Sequence, residues 1–150
     1  MAAGAREVLF TAQLRVRYRS GQGPDTLERT IAAEGRRAAR ELYQELARAI
    51  DDESAGASRG TRQRVEARWV ATLMGRVRLR RYRVKTDSGT FHPLDERLQL
   101  DRAEASQALR ASAGELANLG LSTRQISAVL TLFTGSALPR QTVWRMLRSD

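Results

Sequence analysis

Val65-Glu-Ala-Arg-Trp-Val-Ala-Thr-Leu-Met-Gly-Arg-Val-Arg-Leu79 is the stretch whose reading decides the fold. Val65, Ala67, Trp69, Ala71 and Leu73 recur at every second position, and the alternation resumes in Val77 and Leu79 beyond a break near Gly75. Successive side chains of a strand point to opposite faces, so two period-two runs separated by a turn predict a hairpin with one apolar face. Asp87-Ser88-Gly89 ends the second run, and Thr90 and Phe91 follow as a short third strand.

Upstream, Val8, Phe10, Ala12, Leu14, Val16 and Tyr18 alternate with Gln13, Arg15 and Arg17, which predicts a half-buried strand from Val8 to Tyr18. Ser20-Gly-Gln-Gly-Pro24 breaks it. Asp25 with Glu28 three residues on reads as a capping box, opening a helix whose Leu27, Ile31, Ala38, Leu42, Leu46 and Ile50 form one stripe and which ends near Ile50. Residues Asp51 to Arg64 lack periodicity and are expected to form an exposed loop. Residues 1–99 thus read as an α+β domain, a small antiparallel β-sheet covered by a long amphipathic helix.

Beyond Pro93 the pattern turns helical. Asp101 and Glu104 form a second possible capping box, before a helix carrying Ala105, Leu109, Ala113 and Leu116 and ending at Gly120. Ser122 and Gln125 form a third, before Ile126, Val129, Leu130 and Phe133, and Gly135 stops that helix. Pro139 suits a first helical position, and Val143, Met146 and Leu147 give the last helix its apolar side. Residues 100–150 therefore read as a three-helix unit of helix-turn-helix layout, in which the last helix enters the major groove of double-stranded DNA. Off its apolar side stand Arg140, Gln141, Thr142, Arg145 and Arg148. Arginine pairs with guanine, glutamine with adenine, and threonine meets a thymine methyl or a phosphate. Thr123 and Arg124, opening the preceding helix, are placed for a phosphate. Trp144 is expected to pack inside.

Charge points to the same class of partner. Lys and Arg number 26 against 17 Asp and Glu, leaving +9, and Lys85 is the lone lysine. A guanidinium fork bridges two phosphate oxygens or the edge of guanine. Arg76, Arg78, Arg80, Arg81, Arg83 and Lys85 crowd the second hairpin strand; Arg76, Arg78 and Arg80 share a face that Arg15 and Arg17 would extend. Such a face tracks a DNA backbone without sequence preference, or is the solvated side of a sheet, and both readings stay open. With no cysteine and one histidine, His92 in the loop before Pro93, zinc and disulfide scaffolds are excluded. The acidic clusters Asp51-Asp52-Glu53 and Asp95-Glu96, at a helix end and in a loop, do not form the rigid carboxylate pair of two-metal chemistry. No phosphate loop, dinucleotide fingerprint or nucleophile elbow is present, so neither cofactor nor small-molecule substrate is implied. No signal peptide or membrane span is legible, and the expected location is the cytoplasm, on the nucleoid.

Thr72-Leu-Met-Gly-Arg-Val-Arg-Leu-Arg-Arg-Tyr82 and Phe91-His-Pro-Leu-Asp-Glu-Arg-Leu98 resemble the N-terminal region of bacterial insertion-sequence transposases of the DDE type. There a T-L-x-G-x-V hairpin and a P-L-D-x-x-L-G-L segment precede a helical DNA-binding unit. Gln99 stands where that family more often has glycine. The resemblance implies recognition of insertion-sequence ends, with DNA cleavage and strand transfer left to an RNase H-like domain whose Asp/Asp/Glu triad no residue here matches, so the chain is not expected to be an enzyme by itself. A truncated reading frame, a domesticated DNA-binding protein and the front half of a longer protein all fit. Two other functions stay open: a small transcriptional regulator, acting as a homodimer on a palindromic site, and a subunit docking a protein partner through Leu27 to Ile50.

Overall fold

The computed structural model describes Glu7 and residues 9–17, 19–100 and 104–148. Among the described residues, five helices and one antiparallel sheet make a mixed α+β architecture, in the order α1 Pro24–Ala57, β1 Thr61–Thr72, β2 Gly75–Thr86, β3 Gly89–Phe91, α2 Pro93–Arg97, α3 Gln107–Asn118, α4 Thr123–Thr134 and α5 Arg140–Leu147. The strand order is β1-β2-β3.

The hairpin register follows from its tight turn. Thr72 pairs with Gly75, so Val70 meets Val77, Trp69 meets Arg78 and Ala67 meets Arg80. Thr72 Oγ1 donates to the Gly75 carbonyl at 2.8 Å and accepts from the Met74 amide at 3.2 Å. Gly75 has φ +106°, in the left-handed region, and a Cβ there would stand 2.7 Å from Ser136 Oγ. This register reverses one expectation. Val65, Trp69 and Leu73 lie on the exposed side with Arg78 and Arg80, whereas Val70, Val77 and Leu79 are buried.

β1 is a wall between two cores. Val70 joins Ala47, Val77, Leu79, Leu94 and Leu100 on one side, flanked by Tyr43 and Ile50. Its neighbour Ala71, pointing the other way, joins Ala105, Leu109, Ala113, Ile126, Leu130, Leu138, Val143 and Met146. The backbone joins them too: the Ala71 amide donates to Glu104 O and the Ser106 amide to Ala71 O, each at 2.8 Å.

Along β2, α1 supplies the hydrogen bonds that a further strand would make. Gln44 Nε2 donates to Arg78 O at 3.1 Å and the Tyr82 amide donates to Asp51 Oδ2 at 2.8 Å. Those bonds explain why the helix does not stop near Ile50. Residues 51–57, expected in a loop, continue α1 with Asp51 and Ala55 buried, and the connection to β1 is only Ser58 to Gly60. Burial pushes the Asp51 carboxyl above its ordinary value, while the Tyr82 amide opposes that shift. The expected stripe is only partly covered: Ile31 is 51% exposed, and the fully buried positions are Ala47, Asp51 and Ala55, four residues apart.

Other expectations need correction. Leu9 to Arg17 form no strand, and Leu9 is 91% exposed, for the alternation there finds no neighbouring strand to bond; Val8 and Tyr18 lie outside the described residues. Gly23 rather than Asp25 caps α1, without a side-chain bond. Ser106 caps α3 by accepting from the Leu109 amide, Glu104 sits before it at φ +54°, and Asp101 lies outside the described residues. Asp95 and Glu96 open α2 instead of lying in a loop, and Pro139 is the N-cap of α5. The Ser122–Gln125 capping box and the left-handed Gly135 at φ +67° stand as expected.

Candidate nucleic-acid interface

The α4–α5 turn is held by hydroxyls that α4 itself projects. Ser127 Oγ donates to Leu138 O at 2.5 Å, Thr131 Oγ1 accepts from the Leu138 amide at 3.0 Å, and Thr134 Oγ1 donates to Ser136 O at 3.2 Å. Ser136 Oγ in turn accepts from the Arg76 amide at 3.2 Å, so the hairpin tip is fastened to the turn. With its backbone groups satisfied this way, the turn fixes the direction in which α5 leaves.

Val143 and Met146 bury one side of α5, leaving Arg140, Gln141, Trp144, Arg145 and Arg148 exposed in a single stripe. Trp144, expected inside, is 48% exposed, with the Arg148 guanidinium 4.3 Å from its ring centroid. At 100° per residue Trp144 falls a full step round from Val143, beyond the reach of the small core. Thr142 is half-buried and turns toward the sheet. It lines a cleft of about 120 Å³ with Trp69, Arg76, Leu138 and Pro139, and this cleft is the seam between α5 and the hairpin. Thr123 and Arg124 stand at the start of α4, where the capping box already engages the Ser122 and Gln125 amides.

The arginines of the hairpin divide by face. Toward α2, Arg81 and Arg68 share Asp95 Oδ2, the latter at 2.8 Å, and Glu66 gathers Arg64 at 2.8 Å, His92 at 2.9 Å and Arg83 at 3.6 Å. Outward stand Arg76, Arg78 and Arg80, all exposed and, among the described residues, in no ion pair with a carboxylate. Lys85 is exposed but falls on the opposite parity of the strand. Arg15 and Arg17, exposed in an irregular segment, do not extend the face, since no strand forms there. Sequence reasoning missed Trp69, 51% exposed beneath Arg76, and Arg62, which lies over the Tyr82 ring at 4.7 Å. The Thr72–Gly75 pairing was the signal that places Trp69 among the arginines.

His92 first, and Arg64 next, hold the Glu66 carboxyl down at about 2, from an ordinary 4.5. A carboxyl depressed by folding adds stability that is complete above its ordinary value and is lost as pH falls through the folded one. Glu66→Gln should therefore flatten the loss of stability between about pH 4.5 and 2, measured as urea midpoints at the two ends. A variant as acid-sensitive as the parent would show that Glu66 carries none of this loss.

Among the described residues, no group of three His, Cys, Asp or Glu is gathered as a metal site requires, and no helix is long and apolar enough to cross a membrane. Comparison of the chain with protein-family models, with curated proteins and with solved structures finds no match.

Proposed function

We propose that this chain is the DNA-recognition region of a transposase-like protein, which grips insertion-sequence end DNA as a duplex and acts in the cytoplasm on the nucleoid. The observation that carries the reading is the approach of two separate basic elements. α5 adjoins the hairpin tip through Thr142, at a small cleft lined also by Trp69, Arg76, Glu104 and Pro139, and each of the two elements exposes a row of arginines. α4 and α5, with the clamped turn between them, serve as a helix-turn-helix, and α3 completes its core.

In this reading Arg140, Gln141 and Arg145 meet base edges in the major groove, Arg148 and Arg124 meet phosphates, and Thr142 and Thr123 lie against the backbone at the groove's rim. Arg76, Arg78 and Arg80 add attraction that carries no sequence information. The hairpin and the Pro93-Leu94-Asp95 segment that suggested the transposase resemblance are the elements that hold this surface in place. Residues 1–99 act as the platform and residues 100–150 as the reading unit. Recognition alone is assigned to these residues; cleavage and strand transfer are not.

The test is a salt titration of duplex binding by fluorescence anisotropy. Log affinity should fall linearly with log salt, with a slope of about −0.9 for each phosphate neutralised. Arg78→Ala should weaken every duplex alike and reduce that slope by about 1. Binding that is indifferent to salt, or absent, would favour a protein-docking role for α1 instead.

A further inference from the structure

Reading a duplex through α5 leaves the position of Trp69 unexplained. A ring 51% exposed in mid-strand leaves a large apolar area in water, and such a ring is a natural platform for a planar ligand. Trp69 faces Arg78 across the hairpin, Ala67 faces Arg80, and Val65 faces Tyr82. Arg76 lies over Trp69 at 5.4 Å from the ring centroid, and Arg62 over Tyr82 at 4.7 Å. The sheet face therefore has a ring with a guanidinium against it near each end. The rings are about 13 Å apart along the strand, from four residues at about 3.3 Å each. Between them the floor is low, because Ala67 and Val65 are short. The resulting groove of about 560 Å³ is walled by Arg78 and Arg80 from β2 and by Gln44 and Arg48 from α1. Glu45 and Glu66 also border it, and both are paired, Glu45 with Arg48 at 3.2 Å and Glu66 with Arg64 at 2.8 Å.

A duplex presents phosphates and base edges but keeps its base faces stacked inside. An unpaired strand presents phosphates and base faces together, and those faces stack on aromatic rings and on guanidinium planes. A bare basic sheet would suffice for a duplex backbone; rings interleaved with arginines suit an unpaired strand. We propose that the outer face of the hairpin binds unpaired DNA, with one base stacked on Trp69 and the backbone led along Arg78 and Arg80 toward Tyr82. Since the seam at Thr142 adjoins this face to α5, the combined surface fits a junction at which a duplex held by α5 gives way to a separated strand. The junction geometry rests on the proposed duplex reading, whereas the stacking site stands on the sheet alone.

The test uses the full chain carrying Trp144→Phe, so that Trp69 is the sole tryptophan. A short oligodeoxythymidine should quench Trp69 emission to saturation. In the parent chain, Trp69→Ala should weaken oligodeoxythymidine binding about tenfold or more and duplex binding far less, and Trp69→Phe should keep most of the affinity. Absence of quenching at saturating oligodeoxythymidine, or equal losses on single and double strands for Trp69→Ala, overturns the proposal and leaves the α5 reading intact. Duplex affinity unchanged by Arg145→Ala, with quenching retained, overturns the α5 reading and supports the stacking site.

Discussion

Asp95→Ala is expected to destabilise the chain by about 3 kcal/mol, read from urea unfolding monitored by circular dichroism. The carboxylate holds Arg68 from β1 and Arg81 from β2, and all three side chains are less than a fifth exposed, at 18%, 14% and 16%. Removing it leaves two guanidiniums side by side in a poorly hydrated place, and breaking a buried pair in this way costs about 3 to 5 kcal/mol. Asp95 Oδ1 and Arg81 Nε find no hydrogen-bond partner among the described residues, which sets the expectation at the lower end of that range. Because Asp95 opens α2, the loss should loosen α2 from the sheet before the α3–α5 core is affected. A shift below about 1 kcal/mol would mean that the pair behaves as a solvated surface bridge.

The second large effect concerns the proposed recognition. Arg140→Ala combined with Arg145→Ala should lower affinity for a preferred duplex by about 2 to 6 kcal/mol, taking each arginine proposed to read a base at about 1 to 3 kcal/mol and the two as additive. Both side chains are exposed, so the thermal midpoint should barely move. Competition anisotropy against a random duplex separates this loss from a general one. Equal weakening on preferred and random DNA would reduce α5 to a phosphate-binding helix.

How far the fold was legible depends on where its information lay. α4 could be read because its signals are local: a reciprocal Ser122–Gln125 cap, Ile126 and Leu130 one turn apart, and a glycine able to adopt φ +67°. β2 was equally open, since Val77 and Leu79 alternate with arginines and leave one way to face the core. β1 carries apolar residues on both sides, because it separates two cores, so its alternation alone points nowhere. Only the Thr72–Gly75 pairing decides its faces, and that pairing puts Trp69 with Arg78. The end of α1 was hidden for a different reason. Asp51-Asp52-Glu53 opposes the helix dipole and looks like a terminus, yet the Asp51 carboxylate accepts the Tyr82 amide from a strand 31 residues away. For the candidate site, the basic residues of α5 and β2 were nameable from sequence, but the approach of Thr142 and Pro139 to Trp69 and Arg76 was not, because it depends on Ser136 fastening the hairpin to the α4–α5 turn.

Selection of bound duplexes from a randomised pool, run in parallel with the parent chain and with Arg145→Ala, tests whether α5 reads DNA sequence. Base reading by α5 should yield one converged motif containing guanine, in which Arg145→Ala loses preference at a single position while the rest survives. A pool that fails to converge, or a motif identical for the two proteins, would contradict recognition by α5.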